Sequence, residues 1–126
     1  MKSNKITSKV VAVLLAIMIL PVLLMGCGST KVSKEVREGT QKYINIFETH
    51  KKDNYSEPTK QEMNEYIEFV NSSKAKATPE EKEVLNKLGD VMLAYSTDSS
   101  EVSKGGKPIL FDEKVKELNT LLEQYK

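Results

Sequence analysis

One histidine and one thiol are all that the chain offers to soft-metal or nucleophilic chemistry: His50 and Cys27. His50 is followed by Lys51, Lys52 and Asp53, without the further His, Cys or carboxylate ligands that a metal site requires. Near the end of a helical stretch, it suits a cation complementing the last carbonyls of the helix dipole. Carboxylates are plentiful, chiefly Glu62, Glu65 and Glu68, then Glu80, Glu81 and Glu83. A catalytic pair needs burial to shift its pKa, and helical spacing puts these acids on solvated faces. Asp98, Ser100 and Glu101 lack the fixed glycine and closing glutamate of a calcium loop. Lys104-Gly105-Gly106-Lys107 lacks the spacing of a phosphate loop, and no Ser or Thr follows its lysine. No serine stands in a Gly-x-Ser-x-Gly turn. The expectation is a protein that binds rather than catalyses, with no cofactor and no metal.

With 126 residues there is room for one small domain. Charged residues make up 29% of the chain and the formal net charge is +1, so a basic nucleic-acid surface is not expected.

The N-terminus sets the expected location. Lys2, Lys5 and Lys9 precede Val10–Met25, sixteen residues without a polar side chain, broken only by Pro21. A basic segment, an apolar stretch of this length and a small residue before the break make an export signal. Sixteen residues fall short of the roughly 20 that a spanning helix needs. The stretch ends in Leu24-Met25-Gly26-Cys27, which resembles the lipobox of bacterial lipoproteins. That resemblance implies a diacylglycerol on the Cys27 thiol and cleavage between Gly26 and Cys27. The abundant Lys and Asn and the Cys-Gly-Ser start also resemble lipoproteins of low-GC Gram-positive bacteria. Residues 1–26 then form a cleaved signal helix, and the rest lies outside the cytoplasm, held to the cell membrane by its lipid. Without Lys2, Lys5 and Lys9 the mature chain holds 16 Lys and Arg against 18 Asp and Glu, a net charge of −2. Such a domain has no electrostatic attraction to anionic lipid or nucleic acid.

Residues 27–32 read as the lipidated cysteine and a flexible tether, and residues 33–126 as an all-α domain, a small antiparallel four-helix bundle. The first helix is expected over Ser33–Lys51, with Val36, Thr40, Tyr43, Ile44 and Phe47 on one stripe. Gly39 lies inside it at a cost of about 1 kcal/mol relative to Ala. The second is expected over Pro58–Ser73, opened by a Thr59/Glu62 capping box, its stripe Met63, Tyr66, Ile67 and Val70. A Thr78/Glu81 box and Pro79 open the third, whose stripe is Val84, Leu85, Leu88, Val91, Met92 and Tyr95. The fourth is expected to start at Asp112 as N-cap, with Val115, Leu118, Leu121, Leu122 and Tyr125 inward. Thr97–Leu110 reads as a long loop that folds Ile109-Leu110-Phe111 over the end of the bundle.

Three apolar side chains fall off these stripes: Ile46 and Phe69 by about a right angle, Leu93 nearly opposite its own. They are the candidate partner surface. The expected role is a non-catalytic interaction module contacting an envelope or secreted protein. The alternative is a binding protein for a small apolar or peptide ligand in the bundle interior, for which Tyr43, Tyr66, Tyr95 and Tyr125 would line a cavity. A third possibility is that the released signal fragment is itself an active peptide.

Overall fold

The computed structural model describes residues 31–126; Gly26 and Cys27, and the expected signal helix with them, lie outside the described residues. Local side chains start three of the four helices. Ser33 caps α1 (Lys34–Lys52) by accepting from the Val36 N–H. Thr59 caps α2 (Lys60–Lys74) and Thr78 caps α3 (Pro79–Ser103), each in a reciprocal box with Glu62 and Glu81. These bonds satisfy first-turn N–H groups that have no partner inside the helix. The last helix, α4 (Phe111–Gln124), has no side-chain cap of its own. Among the described residues there is no strand, and the fold is the all-α four-helix arrangement that the periodicity predicts.

Contacts between helix ends fix the directions. Near its start α1 touches the end of α4, where Arg37 donates to the Leu122 and Tyr125 carbonyls, and its last turn reaches the start of α4 through Lys51 and Asp112. His50 near the end of α1 meets Glu62 near the start of α2. Asp98 near the end of α3 meets Phe111 at the start of α4. Successive helices are therefore antiparallel. α1 and α3 run parallel and pack on each other, with α2 and α4 on opposite sides of that pair.

The α1 stripe is buried as predicted, and so are Val84, Leu85, Leu88, Val91 and Tyr95 of α3 and Val115, Leu118, Leu121 and Leu122 of α4. A run of aromatic contacts joins the layers: Tyr43 to Tyr66, Tyr66 to Phe47, and Phe47 to Tyr95 and Phe111, with centroids 5.3 to 6.5 Å apart where Tyr95–Phe111 closes the set. Thr40, fully buried on the α1 stripe, has a hydroxyl with no hydrogen-bond partner among the described residues.

Six expectations are corrected. Ile67, assigned to the core of α2, is 49% exposed, because α2 is a flanking helix that buries only a narrow stripe around Tyr66. α3 does not stop near Thr97 but continues to Ser103. The polar run there is held by tertiary contacts, the buried Asp98 to the start of α4 and the Ser99 hydroxyl to the Tyr55 carbonyl, while Thr97 and Ser103 turn their hydroxyls back to the Leu93 and Ser100 carbonyls. Asp112 is not the cap of α4; it lies one residue inside the helix and pairs with Lys51 at 2.5 Å. Glu81 is buried rather than solvated. Finally, the expected tether gives way before its end: Val32 is fully buried, and the Lys31 carbonyl accepts from the Thr78 hydroxyl. Of the Ile109-Leu110-Phe111 plug, Phe111 enters the core whereas Ile109 stays 71% exposed.

Candidate functional site

The lone histidine is the centre of a polar clasp. His50 Nδ1 sits 2.7 Å from the Ser56 hydroxyl and Nε2 sits 2.8 Å from Glu62 Oε1. A carboxylate only accepts, so Nε2 carries the hydrogen, while the hydroxyl can donate or accept at Nδ1. Serine, imidazole and carboxylate in this order are the components of a nucleophile, its base and the base's orienting group. The surroundings tie each of them into the turn as well. The Ser56 N–H donates to the His50 and Asp53 carbonyls, and the Ser56 carbonyl accepts from the Tyr95 hydroxyl at 2.6 Å. Glu62 Oε1 also takes the Thr59 N–H at 2.8 Å. The Thr59 N–H, offset in part by burial and reinforced by His50, holds the Glu62 carboxyl below its ordinary range.

This clasp fixes a strained turn. Asn54 and Tyr55 both adopt left-handed backbone, φ 56° and 59°, which is costly for a bulky residue. Tyr55 is held there by stacking on Tyr95, with ring centroids 5.4 Å apart, and by a bond from the Ser99 hydroxyl to its carbonyl.

Two further charged side chains serve α4 from outside it. The buried Asp98 carboxylate accepts from the N–H groups of Ile109, Leu110 and Phe111, the last at 2.7 Å. At the other end, Arg37 donates to the Leu122 and Tyr125 carbonyls at 3.0 and 3.1 Å. An acid at the N-terminus and a cation at the C-terminus complement the helix dipole as well as its unpaired groups. Glu81 has an equivalent task between α1 and α3: it accepts from the Ser33 N–H and hydroxyl and from the Thr78 N–H. Burial would raise its pKa, but the bonds from Ser33 and Thr78 outweigh it and hold the carboxyl below its ordinary range. The sequence alone puts Asp98 in the Thr97–Leu110 loop and does not single out Arg37.

Of the proposed surface residues, two are brought near each other and one is not. Ile46 lines a shallow groove along the outer side of α1 with Arg37, Gln41, Asn45 and Thr49. Phe69 lines a second groove in the seam between α1 and α2, over Gly39 and Tyr43, and Glu38 and Lys42 border both. A Cβ on Gly39 would stand 2.1 Å from the Phe69 ring, so the glycine is what admits that ring. Both Ile46 and Phe69 are half-buried against the core. Leu93 projects alone from the outer face of α3, 61% exposed. Among the described residues no three His, Cys, Asp or Glu side chains converge to hold a metal ion, and no helix is long and apolar enough to cross a membrane.

No protein-family profile matches the chain, and neither the curated proteins nor the solved structures compared with it give a significant match.

Proposed function

We propose that the chain is a lipid-anchored, extracytoplasmic helical protein of a bacterial cell membrane, attached through Cys27, that acts as a non-catalytic protein-interaction module. The observation that carries this reading is where the apolar surface lies. Of the tyrosines expected to line an internal cavity, Tyr66 packs edge to face against Tyr43 and Phe47, Tyr95 packs tilted on Phe47, and Tyr125 lies at the surface with its hydroxyl on Glu83. Apolar side chains are offered outward instead, at Phe69 and Ile46 in shallow grooves and at Ile67 and Leu93 on exposed helix faces. Surface of this kind is what a partner protein covers. The polar groups best equipped for chemistry are engaged in holding helix ends, as His50, Glu62, Glu81 and Asp98 illustrate.

A second reading has one observation in its favour. Phe47 and Tyr95 line a cavity of about 470 Å³ between α2 and α3, with Met63, Met92 and Pro58 on its apolar side and Ser96, Ser99, Ser100 and Ser103 on its polar side. A small apolar ligand would fit there.

The test is cross-linking and capture of the tagged full-length protein from its native membranes, with Cys27→Ala as the unanchored control. One stoichiometric protein partner, diminished by Leu93→Asp or Ile46→Asp and lost with the anchor, is the expected result. Absence of any partner from intact membranes overturns the reading and turns attention to the groove beside Tyr95.

A further inference from the structure

The seam between α1 and α2 combines an aromatic floor with an unbalanced rim. Tyr43 and Phe69 form the floor, their centroids 5.4 Å apart, and Gly39 makes room for the Phe69 ring. The cavity measures about 520 Å³. Glu35 and Glu38 of α1 and Glu65 and Glu68 of α2 stand around it, against a single lining cation, Lys42. Glu35 and Glu38 have exposed lysine neighbours, Lys76 at 3.7 Å and Lys34 at 3.6 Å, pairs of little strength in water. Glu65 has only the neutral Gln61 amide at 3.2 Å, and neither Glu65 nor Glu68 forms an ion pair with a described residue. The negative field reaches the floor: the Tyr43 hydroxyl is pushed up first by burial and then by Glu65 and Glu68.

Lys42 marks where a cation sits in this field, its ammonium 5.4 Å from the Tyr43 ring centroid. The four carboxylates do not converge on one point. Two residues three apart on each of two antiparallel helices spread them along the seam, about 4.5 Å per step. One small cation would meet only part of that charge, whereas a polypeptide bearing several basic side chains would meet all of it.

We propose that this groove docks a basic segment of the partner protein, with an apolar side chain on Phe69 and Tyr43 and flanking Lys or Arg among the four glutamates. The proposal rests on the reading of the chain as an interaction module and names the chemistry of what it takes. Charge complementarity of this kind steers encounter and weakens with salt.

The experiment uses the full-length chain in a neutral-headgroup detergent and a fluorescein-labelled heptapeptide of alternating leucine and lysine, followed by anisotropy. Saturable one-to-one binding is expected, with none for the leucine–glutamate counterpart. Glu65→Gln with Glu68→Gln should weaken binding by about twofold to thirtyfold, the effect of two partly exposed charge contacts. Glu48→Gln with Glu113→Gln should leave it unchanged, and circular dichroism confirms that each pair still folds. Three results overturn the proposal: no binding, equal loss from the Glu48 and Glu113 pair, or full displacement by n-butylammonium at the same amine concentration. The last would make the groove a seat for a small cation. A membrane partner captured as readily by the Glu65 and Glu68 variant would remove the groove and keep the module. Peptide binding without any captured partner would do the reverse.

Discussion

At the scale of single residues, Asp98 carries the most. It accepts three backbone N–H groups at the start of a helix that has no cap of its own. A buried donor left unpaired costs about 1–3 kcal/mol, and loss of an N-cap alone about 1 kcal/mol. Asp98→Ala should therefore destabilise the fold by about 3 kcal/mol in urea titration. Asp98→Asn should cost less, since its amide keeps one acceptor oxygen, and an equal loss in both variants would contradict this assignment. Thr40 makes the opposite case. Its buried hydroxyl has no partner among the described residues, so Thr40→Val should stabilise by about 1 kcal/mol in the same titration. Glu81 sets a pH dependence. Its carboxyl is held below the ordinary value of 4.5, so its contribution is complete above that value and disappears as pH falls through the lower folded value. Glu81→Gln should flatten that acid limb of the stability curve, read as the urea midpoint between pH 6 and the onset of acid unfolding. An unchanged limb would assign it to other carboxylates, among them Glu62, whose pKa is also lowered.

At the scale of helices, two glycines test how well local rules account for the packing. Gly39 and Gly89 both sit inside helices, and replacing either with Ala gains about 1 kcal/mol of helix propensity. At Gly89 nothing lies within 4 Å of an added Cβ, so the gain should appear in full. At Gly39 the Cβ would meet the Phe69 ring at 2.1 Å, and overpacking of that kind costs typically 1–3 kcal/mol. Gly89→Ala should raise the melting temperature and Gly39→Ala lower it, with Phe69→Leu recovering part of the loss. Equal gains at both positions would show that α2 shifts freely away from α1. The same contrast explains what was legible in the sequence. The α1 stripe and the Thr59 and Thr78 boxes use residues three or four apart, so periodicity alone identifies them. The caps of α4 come from Asp98, 13 residues before Phe111, and from Arg37, 85 and 88 residues before the carbonyls it holds. No local pattern announces such pairs, and for that reason the sequence offers Asp112 rather than Asp98 as the cap of α4. The groove was half legible. Helical angles pointed to Phe69 and Ile46, but only the packing of α2 on α1 turns four solvated glutamates into one rim.

At the scale of the whole molecule, the burial of one side chain shows that the bundle includes the residues just before α1. Val32 is fully buried, the Lys31 carbonyl accepts from the Thr78 hydroxyl, and Ser33 bonds to Glu81 while it caps α1. The segment before α1 is thus part of the bundle, and the described unit begins at Lys31. A chain starting at Lys31 should unfold in one cooperative transition, as small single domains do. A chain starting at Lys34 loses the burial of Val32, worth about 1.5–3 kcal/mol, and the Ser33 cap, worth about 1 kcal/mol. It also leaves the buried Glu81 carboxylate with the Thr78 N–H alone. Against a total stability of about 5–15 kcal/mol this is a large share, and at about 4–8 °C per kcal/mol the melting temperature should fall by about 15 °C. Scanning calorimetry of the two chains decides the matter. Equal melting temperatures would return Val32 and Ser33 to the tether. A loss confined to the Lys34 chain, largely reproduced by Glu81→Ala in the longer one, would identify the Ser33–Glu81 contact as the join between the incoming chain and the bundle.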